Sequence, residues 1–278
     1  MIDRILEGRY ASRMDDTNPP TEIKVLNWNI ERGQRLGKVK EFMRSQQPDI
    51  CVLQEVDYRA VRTERKHIAD VLASDLQFNY VFGVEFEELS QGFDSDPAFT
   101  GQAVLARWEM TGPRILRFSR QSNIWRPRWY LPPWPWFQPR RGGRMALVVE
   151  LAFGCNRLVV YDLHLESQEE DNLRLWQLSE VVDDSLRYPP DTPVVVAGDL
   201  NTRFDPSPLA GYLVGAGFQD ACEGFNCPAT KPNGKTLDWV FTRGPVTCSG
   251  TKVHRDTKAS DHYPLSTNLK LTLNTATG

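Results

Sequence analysis

Eight short apolar runs, each flanked by turn-forming residues, constrain this chain more than any other feature. They are EIKVLNWNI (22–30), DICVLQEV (49–56), GQAVLARW (101–108), MALVVELAF (145–153), RLVVYDLHL (157–165), PVVVAGDLN (193–201), TLDWVFTR (236–243) and PLSTNLKLTL (264–273). They are β-rich and mostly bounded by Gly, Pro, Asn or Asp, which predicts strands. Strands apolar at successive positions suit sheets covered on both faces. Helical periodicity fills gaps between them: Lys38 to Gln47, Thr63 to Leu76 with Ile68, Val71 and Leu72 on one face, and Glu169 to Arg187. The last carries Leu173, Trp176, Leu178, Val181 and Val182 as an apolar stripe. This order predicts an α/β fold in which two facing β-sheets are flanked by helices. No repeat or long linker divides the chain, so a single domain is expected over 21–278 behind an N-terminal extension at 1–20.

With 278 residues, 40% of them hydrophobic, the chain can bury one large core or two small ones. A formal net charge of −3 excludes a protein that is basic all over, but not one with a local basic face. No stretch approaches the roughly 20 apolar residues of a membrane span, and the first twenty residues hold no signal-peptide core. A soluble, cytoplasmic monomer is the expectation. Cys51 and Cys155 lie in or beside apolar runs, as small core residues do. Cys222 and Cys227 suit a disulfide or half a zinc site, but no second pair completes a zinc set. An odd cysteine count without a signal sequence favours reduced thiols.

The polar residues inside or at the ends of these strands carry the chemistry: Asn29 in NWNI, Glu55 in LQEV, His164 in DLHLES, Asp199 and Asn201 in GDLN, Asp238 in LDWVF, and Asp261 with His262 in SDHYPL. A buried carboxylate needs a partner or a metal, and strand C-terminal ends present side chains to a ligand cleft. One strand-end Asp is usually a turn former or helix cap; six strand ends carrying Asn, Asp, Glu or His together point to a site. Glu, Asp and Asn offer hard oxygens, suited to Mg²⁺ or Mn²⁺ rather than zinc. Histidines among carboxylates bind phosphoryl oxygens or move protons near neutral pH. No GxSxG or P-loop motif is present. Asp162 alternates with His164 along its strand and is either an orienting partner or a solvated side chain. His67 is expected at the surface, and His254 has no assigned role.

NWNIERG, LQEVD, HLES, GDLN, LDWVF and SDHYPL, in this order, resemble the endonuclease/exonuclease/phosphatase (DNase I-like) superfamily, which includes deoxyribonucleases, tyrosyl-DNA phosphodiesterases, neutral sphingomyelinases and inositol polyphosphate 5-phosphatases. The resemblance implies a four-layered α/β sandwich and a phosphoesterase dependent on Mg²⁺ or Mn²⁺. It makes Glu55 the principal metal ligand, with Asn29 beside the metal and Asp261 a second acidic group near it. Asp199 would activate the attacking water, and Asn201 would hold the phosphate. His262, with Asp238 hydrogen-bonded behind it, would stabilise charge in the transition state. His164 matches the branch with a second histidine, which contacts phosphate or assists the leaving group. DNA is the expected substrate; lipid or small phosphoesters are the alternative, and a scaffold without turnover is a third reading.

One segment departs from this pattern. From Met110 to Val149 there are eight arginines and no Asp, Glu or Lys, and IWRPRWYLPPWPWF (124–137) holds four of the eight tryptophans. This Trp-, Arg- and Pro-rich insert at 110–143 allows three readings. Arg126, Arg128, Trp129 and Trp134 would grip DNA by stacking and phosphate pairing; the aromatic residues would enter a membrane surface; or the insert packs on its own sheet.

Overall fold

A computed structural model describes residues 3–12, 20–93, 95–125, 137–153, 156–168, 171–202, 204 and 206–272. In chain order the elements are β1 (Ile5–Gly8), β2 (Glu22–Arg32), α1 (Leu36–Gln46), β3 (Ile50–Tyr58), α2 (Ile68–Leu76), β4 (Asn79–Glu88), β5 (Phe99–Ala106), β6 (Met110–Arg117), β7 (Arg140–Gly142), β8 (Met145–Phe153), β9 (Asn156–His164), α3 (Asp171–Ser185), β10 (Val194–Asp199), α4 (Pro208–Gly215), β11 (Gln219–Asp220), β12 (Asp238–Arg243), β13 (Val246–Val253) and β14 (Leu265–Leu271). Among the described residues one mixed sheet has eight strands, ordered β1-β4-β5-β3-β2-β14-β13 with β7 also on β4. The other has six, ordered β11-β12-β10-β9-β8-β6.

Alternation along each strand builds four layers. On β2, Ile23 and Val25 point between the sheets, where they meet Leu147, Val149 and Val160. Leu26, Trp28 and Ile30 point outward, against Val39 and Met43 of α1 and Leu72 of α2. The second sheet covers its outer face with Leu178, Val181 and Val182 of α3 and Leu209 and Leu213 of α4. This is the predicted four-layered sandwich of two facing mixed sheets flanked by helices.

All eight apolar runs are strands, and the three predicted helices are α1, α2 and α3. Four features differ from expectation. Residues 5–8 of the expected extension form β1, an edge strand antiparallel to β4. Residues 110–117 of the expected insert form β6, paired with β8. Trp176, expected on the apolar stripe of α3, is 51% exposed; Arg174 is buried instead, its charge met by Asp171 at 2.7 Å. Cys222 and Cys227 form a disulfide, one of the two readings open for this pair, against the general expectation of reduced thiols; Cys155 lies outside the described residues.

Candidate active site

Register assembles the core of the site. On β9 and β10, parallel neighbours, His164 stands opposite Asp199. On β10 and β12, antiparallel neighbours, Asp199 stands opposite Asp238. The same alternation that turns Leu158, Val160, Val195, Ala197 and Val240 into the inter-sheet core turns these three polar residues toward the opposite sheet. Gly198 of GDLN permits the close strand approach: its φ is +151°, and an added Cβ would stand 2.0 Å from the Leu163 carbonyl oxygen.

The first sheet answers with three irregularities. Register shifts interrupt the β2–β3 pairing between Asn29 and Arg32, the β3–β5 pairing between Leu53 and Val56, and the β4–β5 pairing between Val84 and Phe86. Bulges re-aim side chains at sheet edges and active sites. Here they frame Asn29, Glu55 and Glu85, and Glu55 itself sits at a left-handed φ of 51°.

Asp199 Oδ2 is the point of convergence. Asn29 Nδ2 donates to it at 3.2 Å, His262 Nε2 lies 3.7 Å away and His164 Nε2 3.9 Å away. Its other oxygen accepts the Asn201 N–H at 2.9 Å. His262 comes from the segment before β14, anchored by Trp28 Nε1 donating to its carbonyl at 2.9 Å and by Ser260 Oγ donating to the Asn29 carbonyl at 2.7 Å. Its Nδ1 is 2.8 Å from Asp238 Oδ2. Burial disfavours a charged imidazole, but Asp238 and Asp199 outweigh it and raise His262 to about 9. At neutral pH it is therefore an imidazolium, and Nε2 is its nitrogen on the Asp199 side.

The same balance, with the charges reversed, holds at Glu55. Burial favours the neutral acid, but Arg32, His164, Arg140 and His262 overcome it and hold the carboxyl at about 2; Arg32 is its nearest cation, at 3.4 Å. Beneath the site Gln54 Nε2 donates to Asn27 Oδ1 at 3.0 Å and to Asp162 Oδ1 at 2.7 Å. Burial pushes Asp162 well above the usual carboxylate range. Asp162 thus belongs to a buried polar layer. The group facing His164 Nδ1 is Glu85, whose Oε2 lies 3.3 Å away; its Oε1 accepts from Arg144 at 2.9 Å.

The expected site residues divide clearly by position. Asn29, His164, Asp199, Asp238 and His262 come together, with Glu55 in electrostatic reach. Asn201 joins through its backbone; its side-chain Nδ2 donates to the Leu165 carbonyl at 3.0 Å. Asp261 is half-exposed, its Oδ2 2.8 Å from Lys231 Nζ, and is not among the three residues whose ligand-type atoms cluster at the centre. Arg126, Arg128, Trp129 and Trp134 lie outside the described residues. Glu85, Arg144 and Lys231 were not anticipated. Glu85 had a signal, an acid inside the apolar run of β4; Lys231 had none.

The flanks of the insert are packed. Trp125 is 8% exposed, lies on Phe86 and donates its indole N–H to Glu166 Oε2 at 2.6 Å. Arg114 pairs with Asp184, Arg140 with Glu88, Arg141 with Glu87 and Arg144 with Glu85. His67, expected at the surface, is half-buried against Tyr58, Tyr80 and Phe82, and His254 is buried on Ser266.

A profile of the Endonuclease/Exonuclease/phosphatase family matches residues 26–262. The chain belongs to that family, whose members hydrolyse phosphoester bonds. Three solved structures show the same fold. The endonuclease/exonuclease/phosphatase of Beutenbergia cavernae is 19% identical, with a TM-score of 0.63 over 91% of this chain and 72% of that one. Humanized D. rerio TDP2 is 19% identical, with a TM-score of 0.64 over 92% and 100%. The endonuclease/exonuclease/phosphatase of Bacteroides vulgatus is 15% identical, with a TM-score of 0.67 over 91% and 100%. No curated protein matches the sequence.

Proposed function

We propose that the protein is a divalent-metal-dependent phosphodiesterase acting on DNA or a DNA end. The observation that carries this reading is the convergence of Asn29, His164 and His262 on one oxygen of Asp199. The donor set fits a hard cation. Glu55 is anionic at any working pH, and Asp199, Asp238 and His262 place their ligand-type atoms within 4.8 Å of one another. Of these two positions Glu55 is the better ligand, because the imidazole of His262 is hydrogen-bonded to Asp238 and carries a proton at neutral pH. Mg²⁺ or Mn²⁺ held by Glu55 would supply positive charge against the phosphoryl oxygens.

Asp199 Oδ2 accepts a proton from the attacking water, with Asn29 orienting the carboxylate. The water oxygen bonds to phosphorus as the bond to the leaving oxygen breaks, in line. His262 donates from Nε2 to a phosphoryl oxygen, its charge sustained by Asp238. His164, its Nδ1 facing Glu85, presents Nε2 to the same space, where a proton can pass to the leaving oxygen. The DNA assignment is supported by the HLES motif ahead of α3, which resembles the tyrosyl-DNA phosphodiesterase branch, and by the likeness to TDP2.

The test is hydrolysis with Mg²⁺ of single-stranded DNA, duplex DNA, a 5′-blocked DNA end and sphingomyelin vesicles, by wild type, Asp199→Ala and His262→Ala. Cleavage of DNA that is lost in both variants is expected. Cleavage of the vesicles alone would move the substrate to lipid. Hydrolysis unchanged in both variants would overturn the site assignment.

A further inference from the structure

The loop before β12 delivers a cation that no sequence motif announced. Lys231 Nζ lies 2.8 Å from Asp261 Oδ2 and 3.0 Å from His262 Nε2, and its side chain is 20% exposed. Lys231 thereby reaches the ring nitrogen of His262 that lies 3.7 Å from Asp199 Oδ2. A lysine tethered only for stability would be poorly placed here: a partly exposed Lys–Asp pair stabilises little, and the second neighbour is another basic group.

The position of Lys231 is fixed on both sides. Thr230 Oγ1 accepts the N–H groups of Leu237 at 2.9 Å and Asp238 at 3.1 Å. The Thr230 carbonyl accepts the Tyr263 N–H at 2.7 Å. The residue before Lys231 is thereby clamped between the start of β12, where Asp238 stands, and the segment ahead of β14 that carries His262. After it, Lys231 N–H donates to Lys235 O and Gly234 N–H to Lys231 O, closing a turn around Pro232-Asn233. Upstream, the Cys222–Cys227 disulfide closes the same loop. Little ordering of the side chain is left to be done when an anion arrives.

We propose that Lys231 is a substrate-binding residue whose ammonium, together with Nε2 of His262, grips a non-bridging oxygen of the phosphate and leaves Asp261 as its tether. Asp261 then serves this chain by holding Lys231 rather than by holding a metal. The proposal rests on the reading of the site as a phosphoesterase centre.

The experiment compares Lys231→Met and Lys231→Arg with wild type and Asp199→Ala in the full chain with Mg²⁺. It measures inorganic phosphate binding by calorimetry, then KM and kcat on a phosphodiester. A charge-assisted hydrogen bond of this kind gives about 10–100-fold. Lys231→Met is expected to weaken phosphate binding and raise KM by that order, with kcat changed less. Lys231→Arg should recover most of the loss, and the thermal midpoint should stay within a few degrees in each variant. Phosphate affinity and KM at wild-type values in Lys231→Met would overturn the proposal, as would a loss that Arg does not rescue. Phosphate binding needs no turnover, so the two readings separate. Unimpaired hydrolysis by Asp199→Ala sinks the phosphoesterase centre. A dead Asp199→Ala beside an unaffected Lys231→Met sinks only the role of Lys231.

Discussion

Two regions of this molecule are rich in charge, and they treat it oppositely. In the cleft between the sheets, His164, His262 and Asn29 all aim at one carboxylate oxygen of Asp199, and Glu55 is held ionised beside them. Along the insert and its flanks, Arg114, Arg117, Arg140, Arg141 and Arg144 pair with Asp184, Asp3, Glu88, Glu87 and Glu85 in turn. A stretch of chain without a single acid looked like a basic face. In three dimensions its partners come from β4, α3 and the residues ahead of β1, so much of that charge is already neutralised. Local composition is a poor guide to surface potential when the counter-charges arrive from other elements; convergence of several groups on one atom is the better mark of a site.

This contrast can be broken most directly at its centre. Asp199→Ala should lower phosphodiester turnover by about 10²–10⁴-fold with the thermal midpoint nearly unchanged, as steady-state kinetics beside a melting curve would show. Glu85 joins the two regions, since it pairs with Arg144 and faces His164. Glu85→Ala strands a buried guanidinium and should cost about 3–5 kcal/mol in urea unfolding; a small loss would mean that water reaches Arg144. Trp125→Ala tests whether the insert is anchored from within. Removing a buried indole should cost about 3 kcal/mol or more, and full stability would return the tryptophan to the pool of ligand-binding candidates.

The next test compares two histidines in the same part of the chain. His254 is lowered to about 4 by burial, with Lys252 adding to the effect, whereas His262 is raised to about 9. His254 therefore binds a proton more readily unfolded than folded. Its contribution is fully present above about pH 6.5 and falls away between there and about pH 4, by up to about 3 kcal/mol. His254→Gln should flatten the acid limb of a stability–pH curve; an unchanged limb would place the acid sensitivity elsewhere. The smallest effect belongs to Arg141, partly exposed on Glu87. Arg141→Ala should change stability by less than about 1 kcal/mol and leave DNA affinity as it was. A tenfold weaker affinity would show that the insert grips DNA through arginines that also make ion pairs.

The strands that sequence periodicity found and those it missed differ in a physical way. PVVVAGDLN and MALVVELAF became β10 and β8 because nearly every position is apolar, as burial on both faces requires. NYVFGVEFEE, which became β4, hides three glutamates whose partners are Arg144, Arg141 and Arg140, far away in sequence. MTGPRILR became β6 despite a glycine and a proline, and VTCSGTKV is an edge strand whose polar positions are mostly exposed. Trp176 misled for a related reason: Arg174 took the buried place because Asp171 and the Glu166 carbonyl receive its guanidinium.

By itself the sequence determined the α/β class, the main strands, the family, and the identity of Asn29, Glu55, His164, Asp199, Asp238 and His262 as the residues to watch, because side-chain type and strand periodicity are local properties. Only the tertiary structure decided which of them meet. Register placed His164, Asp199 and Asp238 side by side, and bulges turned Asn29, Glu55 and Glu85 toward them. The closing of one loop brought Lys231 to His262 and Asp261. These are contacts between residues distant along the chain, and they are set by strand pairing and chain closure, neither of which a run of neighbouring residues encodes.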